Sequence, residues 1–301
     1  MAYINICKKI KILNLYHWGR HTYAIGKIYK LRNPKGKLYV KCDLDDRGLN
    51  VIKNNKNAQK VFCNILDIAD LMTCESTRIR DEINLIFKKK IKWIPNGFYK
   101  DETNIQLKQE KIILTVGRLG TEQKATENLV QSFIKIHDKI PEWKLFLVGS
   151  MTENFKEYLN EIFYQYPTLK NRIITTGEIT NKEELYRIYS RSSIFALSSR
   201  WESFAIVMLE ALNYGCYFIG TDGIAPIRDI VIADYIGKIV GIDKIDDLAY
   251  AIFDTISENR YLNDEIAKQR IKFVNENFTW SKICNKILLY IDGEYHGVEN
   301  R

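Results

Sequence analysis

Apolar and polar residues alternate most regularly in the part of the chain that follows residue 110. Short apolar runs rich in β-branched residues alternate there with longer amphipathic stretches, which predicts strands separated by helices. The predicted strands are IILTV (112–116), KLFLVG (144–149), RIITTG (172–177), SIFALS (193–198), YFIGT (217–221) and GKIVG (237–241). The predicted helices are ATENLVQSFIKIHDKI (125–140), NFKEYLNEIFYQY (154–166), KEELYRIYS (182–190) and FAIVMLEALNYG (204–215). Nearly continuous apolar strands of this kind indicate a parallel sheet covered on both faces.

The first hundred residues show the same alternation less clearly. Strands are predicted at KILNLY (11–16), KLYVKC (37–42), DLMTC (70–74) and KIKWIP (90–95), and helices at TYAIGKIYKL (22–31), NAQKVFCNILDIA (57–69) and TRIRDEINLIF (77–87). We therefore predict an α/β protein of two Rossmann-like, doubly wound domains. The first covers residues 1–100, a charged linker covers 101–110, the second covers 111–275, and a helix within 276–301 returns towards the first. Ligands of such domains bind at the carboxyl ends of the strands.

Composition narrows the class of protein. The chain has 301 residues, of which 46% are hydrophobic and 27% charged, values typical of a globular protein. It contains neither an apolar run of membrane-spanning length nor a signal peptide, so a cytoplasmic location is expected. The six cysteines are far apart and include no CxxC pair, which indicates reduced thiols and neither a disulfide framework nor a metal site.

Positive charge is concentrated in the first third of the chain. The net charge is +8, and residues 1–100 contain 21 Lys and Arg against 8 Asp and Glu. This excess favours an anionic partner such as a membrane surface, although a solvated lysine-rich surface would give the same composition. A nucleic-acid partner is not expected, because no recognised motif accompanies the basic region and its aromatic residues are not arranged for stacking.

One carboxylate stands out in the second half. Glu210 lies within FAIVMLEAL, which is apolar on every side and predicts a buried helix. A buried carboxylate needs a strong partner, which could be an arginine from elsewhere or the hydroxyl pair of a bound sugar or ribose.

Two cations follow the first strand of the second domain. Arg118 and Lys124 lie in TVGRLGTEQK (115–124), directly before a predicted helix. Cations next to a helix N-terminus favour binding of a phosphate or diphosphate, although ordinary solvent-exposed loop residues would give the same pattern. The loop WESFA (201–205) leads into the helix of Glu210, and its first backbone N–H groups are expected to lack partners within that helix.

These segments together resemble a known family. VGRL, a lysine six residues after the arginine, and the two glutamates of the E-x7-E pattern (Glu202 and Glu210) are similar to retaining glycosyltransferases of family 4, which have the two-domain GT-B fold. IPNGFY (94–99) and ENFTW (276–280) extend the resemblance.

The resemblance implies a role for each matching residue. Arg118 and Lys124 would hold the donor's diphosphate beside Gly117, Glu210 the ribose, and Glu202 hydroxyls of the transferred sugar. Backbone N–H groups of Ser203, Phe204 and Ala205 would cap the phosphate or sugar, and Gly177, Glu178 and Ile179 in TGEIT (176–180) would meet the nucleobase. The activity implied is transfer of a hexose from a nucleoside-diphosphate sugar to a glycan or polyprenyl-linked acceptor in bacterial-type surface polysaccharide synthesis, with no cofactor and no metal.

The sequence departs from this family in the first domain. That domain is shorter than the family's and lacks its glycine-rich loop, which is expected of a fragment, half of a split enzyme or a short form. Ala125 stands where the family often has glycine. Asp43 and His17 follow strands, and either is a candidate catalytic residue facing the sugar, an ordinary loop residue or a helix cap.

Other functions remain open at this point. A nucleotide-sugar epimerase or sugar phosphorylase is a second enzyme class, which the paired E-x7-E and R-x5-K patterns disfavour. A nucleotide-sugar-binding subunit that needs a partner chain is the main alternative to an enzyme. A short first domain would expose a sheet edge and favour a partner chain or a dimer. The charge asymmetry and the habit of the resembled family lead us to expect a peripheral position at the inner face of a membrane.

Overall fold

The computed structural model describes residues 9–88, 90–100, 107–259 and 264–293. The chain divides into two compact units, the first formed by Met1–Gly97 with Trp280–Arg301 and the second by Phe98–Thr279. Each unit contains one parallel sheet, so the predicted α/β class with two parallel-sheet domains is confirmed, although only the second sheet has the reversal of strand order that defines a doubly wound sheet. None of the described helices is long and apolar enough to cross a membrane.

The first unit is built on four strands arranged in chain order. They are β1 (Ile12–Tyr16), β2 (Lys37–Lys41), β3 (Leu71–Cys74) and β4 (Lys92–Trp93). Its helices are α1 (Arg20–Arg32), α2 (Asp46–Asn54), α3 (Lys56–Ile68), α4 (Thr77–Phe87) and, from the end of the chain, α12 (Trp280–Asp292). Tyr39, Leu71 and Ile94 pack with Ile283 and Ile291 of α12, which closes one face of this sheet.

Helix α2 is absent from the predicted elements, and β4 is shorter than predicted. Only Leu49 and Ile52 of α2 are buried, so its apolar pattern is too sparse to be read from the sequence. Its start is fixed instead by Asp45, whose side chain accepts a hydrogen bond from the Gly48 N–H (2.8 Å).

The second unit contains a six-stranded sheet in which every pairing is parallel. Its strands, β5 (Glu110–Val116), β6 (Lys144–Val148), β7 (Ile173–Gly177), β8 (Ser192–Leu197), β9 (Tyr217–Thr221) and β10 (Gly237–Val240), lie in the order β10-β9-β8-β5-β6-β7. Strands β5 to β7 follow one another towards one edge of the sheet, and β8 to β10 follow one another towards the opposite edge. The carboxyl ends of β5 and β8 therefore form the switch point at which such sheets bind ligands.

Helices cover both faces of this sheet. They are α5 (Thr126–Ile136), α6 (Glu153–Gln165), α7 (Lys182–Arg191), α8 (Ile206–Asn213), α9 (Ile227–Ile230), α10 (Ile245–Ser257) and α11 (Asp264–Asn277). One core lies between the sheet and α5, α6 and α10, and the other between the sheet and α7, α8 and α11. All six strands and all four helices predicted after residue 110 are present. The first six residues of the predicted linker, 101–106, lie outside the described residues.

Candidate functional site

Glycines bring the loops after β5 and β6 together at the switch point. Gly149 has φ 133°, and a Cβ there would lie 1.9 Å from the Gly117 carbonyl oxygen. A Cβ on Gly117 would lie 3.2 Å from Cε of Lys124, so this position also favours the absence of a side chain. Gly149 was not among the candidate residues, although its place at the end of the predicted strand KLFLVG was a signal for it.

Lys124 and Glu202 form the centre of the site. Their side chains make an ion pair, in which the lysine is 15% and the glutamate 10% exposed. The hydroxyl of Ser199 donates to Oε1 of Glu202 (3.0 Å), and the Gln123 amide donates to Oε2 (3.2 Å). The structure thus brings together two residues that are 78 positions apart in the sequence.

Arg118 joins this group through one intermediary. Its guanidinium is exposed and donates to the side-chain oxygen of Gln123 (2.9 Å), whose amide in turn binds Glu202. Sequence reasoning missed both Gln123 and Ser199. Each lies next to or near a predicted site residue, in TEQK and SSRWE, but only the fold shows that its side chain turns inward.

The backbone holds the two loops in register. Ser198 donates to the carbonyls of Lys124 (3.0 Å) and Ala125 (2.9 Å), and Arg200 N–H donates to the Gln123 carbonyl (2.8 Å). Ala125 has φ 43°, in the left-handed region that favours glycine. The alanine therefore keeps the backbone turn that a glycine would make more easily, and α5 begins directly after it.

The loop WESFA ends in a second left-handed residue. Ala205 has φ 64° and precedes α8, while the Phe204 side chain is buried in the core. Among the described residues, the N–H groups of Ser203, Phe204 and Ala205 donate no hydrogen bond. Three backbone donors next to a helix N-terminus are thus free to meet an anion.

Helix α8 is not buried on every side, which corrects the prediction made for it. Met208, Leu209, Ala211 and Leu212 are buried, whereas Ile206 is 39% exposed and Glu210, one turn later, is only half-buried. Besides the sheet, the helix packs against α11, so only the part of its surface that includes Ile206 and, in part, Glu210 is exposed. Glu210 therefore has access to solvent and to a ligand.

The partner of Glu210 is a tyrosine. The hydroxyl of Tyr189 in α7 donates to Oε2 of Glu210 (3.0 Å). Burial raises the pKa of the Glu210 carboxyl, and the Tyr189 hydrogen bond and the nearby Lys182 charge oppose that rise. Among the described residues no arginine pairs with Glu210, and no contact joins it to Lys124 or Glu202. The predicted arginine alternative is therefore not what the structure shows.

The segment predicted to meet the nucleobase follows β7 at the same edge of the sheet. The Gly149 N–H donates to the Gly177 carbonyl (2.9 Å), which connects this segment to the glycine contact beside Lys124. Glu178 is exposed, and Ile179 packs at the margin of the core that contains α8.

The candidates of the first unit, His17 and Asp43, contact each other. They follow β1 and β2, have φ values of 62° and 50°, and place Nδ1 of the histidine 3.3 Å from Oδ2 of the aspartate. A buried pair beside them was missed. Lys41 Nζ lies 3.3 Å from Glu75 Oε1, and both side chains are almost fully buried. Among the described residues, no cluster of three or more His, Cys, Asp or Glu side chains could hold a metal ion.

Comparison with known proteins identifies the family of the chain. The family described as "Glycosyl transferases group 1" matches residues 99–273, more than half of the chain. An uncharacterized glycosyltransferase of Methanocaldococcus jannaschii is 26% identical over 229 residues, 70% of this chain and 57% of the relative. Mannosylfructose-phosphate synthase of Agrobacterium fabrum is 26% identical over 223 residues, 68% of this chain and 48% of the relative. The chain spans about half the length of the curated relatives it matches.

Solved structures show the same fold at lower identity. The pneumococcal O-GlcNAc transferase GtfA, in complex with UDP and GlcNAc, aligns with a TM-score of 0.74 and 20% identity, over 98% of this chain and 60% of that one. Anabaena HepE in complex with UDP aligns with a TM-score of 0.75 and 17% identity, over 97% and 81% of the two chains. The fold is therefore that of the GT-B glycosyltransferases, and the chain belongs to the glycosyl transferases group 1 family.

Proposed function

We propose that this chain is a retaining glycosyltransferase of the family 4 type, which moves a hexose from a nucleoside-diphosphate sugar to a glycan or lipid-linked acceptor. The observation that supports it best is the Lys124–Glu202 pair, linked through Gln123 to Arg118, at the switch point of the second sheet. The group combines cations that can bind a diphosphate with a carboxylate that can accept hydrogen bonds from sugar hydroxyls. A nucleoside-diphosphate sugar needs both kinds of group.

The two cations keep unused donors. A lysine ammonium carries three N–H donors, and Lys124 directs one of them to Glu202. An arginine carries five, and Arg118 directs one side-chain nitrogen to Gln123. The remaining donors suit a diphosphate whose negative charge grows as the sugar departs. Fixed cations at that point stabilise the transition state more than the ground state, and with these two in place no metal or cofactor is required.

The carboxylates suit the sugar and the ribose. Oε2 of Glu202 accepts one hydrogen bond from Gln123 and keeps capacity for a hydroxyl of the transferred hexose. Glu210, half-buried one turn after Ile206, would accept from the ribose. The free N–H groups of Ser203 to Ala205 would cap the phosphate, and the backbone of Gly177 to Ile179 would meet the base.

The first unit would supply the acceptor side. We place His17 and Asp43 there as candidate catalytic residues, because the pair stands at the carboxyl ends of β1 and β2. A galactosyltransferase of Escherichia coli named for a diphosphoundecaprenol acceptor is 27% identical over 221 residues, 67% of this chain and 54% of that protein. Together with the basic first unit, this supports a polyprenyl-linked or glycan acceptor in surface polysaccharide synthesis, at the cytoplasmic face of an anionic membrane.

A second candidate function is a nucleotide-sugar-binding subunit that needs a partner chain for turnover. It is favoured by one observation: the Arg118, Lys124, Glu202 and Glu210 groups all lie in the second unit, so donor binding can occur without catalysis.

The test is a thermal-shift panel of UDP-, GDP-, ADP- and dTDP-sugars, followed by assays of donor hydrolysis and transfer. A ligand at about one hundred times its Kd stabilises the folded state by roughly 2.7 kcal/mol. We expect one nucleotide class to raise the melting temperature of the wild type, and Lys124→Ala and Arg118→Ala to abolish the rise. Lys111→Ala is the matched control, because its pair with Glu142 stands at the opposite, amino-terminal edge of the same sheet.

The outcomes separate the two functions. Transfer with retained anomeric configuration, seen by NMR of the product, supports the enzyme. Binding without turnover supports the subunit. No shift with any donor, in a protein that melts cooperatively, contradicts both.

A further inference from the structure

Loops from four strand ends of the second unit meet at one arginine. Arg200 follows β8, and its guanidinium contacts the loops after β5 and β10. Its Nε donates to both carboxylate oxygens of Asp243 (2.9 and 3.0 Å), and its Nη1 donates to the Glu122 carbonyl (3.0 Å). In the loop after β9, a Cβ on Gly223 would lie 2.3 Å from the Arg200 carbonyl oxygen, so this loop also packs directly on the arginine.

Asp243 is itself held in place. Its backbone has φ 57°, in the left-handed region that aspartate and asparagine adopt more readily than most residues. The side-chain amide of Asn128, in α5, donates to its Oδ1 (2.7 Å). The side chains of Arg200 and Asp243 are 34% and 49% exposed, so their ion pair contributes little to stability. The pair instead fixes a geometry, because a carboxylate held from α5 orients the guanidinium.

Arg200 holds the two peptide groups on either side of the Gln123 Cα. Its backbone N–H donates to the Gln123 carbonyl (2.8 Å), and its guanidinium donates to the Glu122 carbonyl. The Glu122 carbonyl belongs to the peptide group before that Cα, and the Gln123 carbonyl belongs to the one after it. Because each peptide group is planar, holding both of them restricts the backbone of Gln123 and sets the direction of its side chain.

The direction of the Gln123 side chain matters for the donor site. Its amide donates to Oε2 of Glu202 (3.2 Å), and its oxygen accepts from Arg118 (2.9 Å). Lys124 is the next residue along the chain and makes the ion pair with Glu202. A shift of the backbone at Gln123 would therefore move both cations relative to the carboxylate.

We propose that Arg200, oriented by Asp243, is a positioning residue that holds Arg118 and Lys124 at the donor's diphosphate through the backbone of Gln123. This inference rests on the proposed transfer activity and adds a residue that acts on the site without having to contact the donor. Displacing a catalytic group by about 1 Å can lower the rate by about a hundredfold, so a modest movement of these cations is enough for a large effect.

The chain provides a matched control at the opposite edge of the same sheet. Arg191, the last residue of α7, donates from Nε and Nη2 to the two carboxylate oxygens of Glu110 (2.9 Å each). The two side chains are 46% and 37% exposed, similar to the Arg200 pair. Glu110 begins β5, whereas the donor site follows the end of that strand. Arg191→Ala therefore removes a comparable ion pair that has no contact with Gln123.

The first measurement is made without a donor. Backbone order parameters from ¹⁵N relaxation are about 0.85 in rigid backbone and below about 0.6 in flexible backbone. We expect the order parameters of the Gln123 and Lys124 amides to fall from the rigid to the flexible range in Arg200→Ala and to stay rigid in Arg191→Ala. Arg200→Lys should not restore them, because one ammonium cannot reproduce the planar fork that binds a carboxylate and a carbonyl together.

The second measurement is donor turnover. Arg200→Ala should lower kcat by about tenfold to a hundredfold, whereas Arg191→Ala should keep the wild-type kcat. Asp243→Asn suits the left-handed backbone and keeps an acceptor oxygen, but it loses the charge and should give a smaller loss of kcat. The double variant Arg200→Ala with Asp243→Asn should match Arg200→Ala alone, because Asp243 acts through Arg200.

Three results would overturn the proposal. The first is rigid Gln123 and Lys124 amides in Arg200→Ala. The second is an equal loss of kcat in Arg200→Ala and Arg191→Ala, and the third is additive losses in the double variant, which would give Asp243 a role of its own. A wild type that turns over no donor would contradict the proposed transfer instead, and the order parameters by themselves would then decide the role of Arg200.

Discussion

Each sheet carries a lysine–glutamate pair at its carboxyl edge, and the two pairs differ in their contact with solvent. In the second unit, Lys124 and Glu202 are 15% and 10% exposed. In the first unit, Lys41 and Glu75 are 2% and 0% exposed. Both pairs join residues that are far apart in the chain, and both stand where parallel sheets bind ligands.

Their hydrogen bonds explain the difference. Glu202 is held by Ser199 and Gln123, and among the described residues the Lys124 ammonium donates to Glu202 alone. Lys41 instead donates to the carbonyls of Ile94 (3.1 Å) and Pro95 (3.4 Å), and Glu75 accepts from the Leu44 N–H (3.2 Å).

The buried pair therefore ties β2 and β3 to the IPNG turn. Burial raises the pKa of the Glu75 carboxyl, which the Lys41 charge opposes. The same two residue types thus form a structural tie where both side chains are almost fully buried and a candidate ligand site where each keeps some exposure.

The largest effect is expected from breaking the buried pair. Lys41→Met leaves the Glu75 carboxylate buried without its partner, which should lower the free energy of unfolding of the first unit by about 3–5 kcal/mol. Urea unfolding followed by hydrogen exchange of the β2 and β3 amides measures it. The double variant Lys41→Met with Glu75→Leu should recover most of the loss, and donor binding by the second unit should be unchanged. If the single and the double variant lose the same free energy of unfolding, the unpaired Glu75 carboxylate is not the cause of the loss.

The less deeply buried pair, Lys124 and Glu202, should give the opposite result. Lys124→Ala should lower kcat by about a hundred- to a thousandfold, the effect of removing one electrostatic donor from a developing charge. It should change the unfolding free energy by less than about 1 kcal/mol, because Glu202 keeps Ser199, Gln123 and water. Measurements of donor turnover test the predicted loss of kcat, and urea unfolding tests the predicted change in stability. A loss of stability as large as that of Lys41→Met would remove the distinction between the pairs.

A smaller effect is expected from Ser199, which orients Glu202. Ser199→Ala removes a hydrogen bond to a charged oxygen and should lower kcat/KM by roughly tenfold, equivalent to about 1.4 kcal/mol. Ser193→Ala is the control, because its hydroxyl binds the Glu110 carbonyl at the opposite edge of the sheet. If both variants retain wild-type kcat/KM, Glu202 does not need this hydroxyl to meet the sugar.

The smallest effect concerns the pH dependence of stability at Glu210. Its pKa in the folded protein is raised above the ordinary value of 4.5, so the folded state keeps this proton at a pH where the unfolded chain has lost it. Its contribution to stability is full below about pH 4.5 and is lost as pH rises through the folded pKa.

Glu210→Gln should therefore flatten the decline in melting temperature between pH 4.5 and 7, and weaken donor binding. Tyr189→Phe removes the opposing hydrogen bond and should steepen the same decline. A Glu210→Gln profile that matches the wild type would show that this carboxyl does not titrate differently in the two states.

Much of the fold could be read from the sequence because its helices and strands follow local apolar periods. Helix α4 begins and ends at the predicted residues, and β9 does as well. Helix α2 could not be found this way, since a cap at Asp45 rather than an apolar stripe sets its start. The environment of Glu210 was predicted wrongly for a related reason: an apolar helix sequence does not reveal which of its sides the sheet leaves open.

The candidate site also has features that the sequence predicts and features that only the fold reveals. The chain's residue order by itself determined the α/β class, the two sheets and the motifs that place Arg118, Lys124 and Glu202 at strand ends, because these depend on short-range patterns. Only the tertiary structure decided which side chains meet. It added Gln123 and Ser199 to the Lys124–Glu202 pair, gave Tyr189 to Glu210, and buried Lys41 with Glu75, since contacts between distant segments and the exclusion of water arise when the sheets assemble.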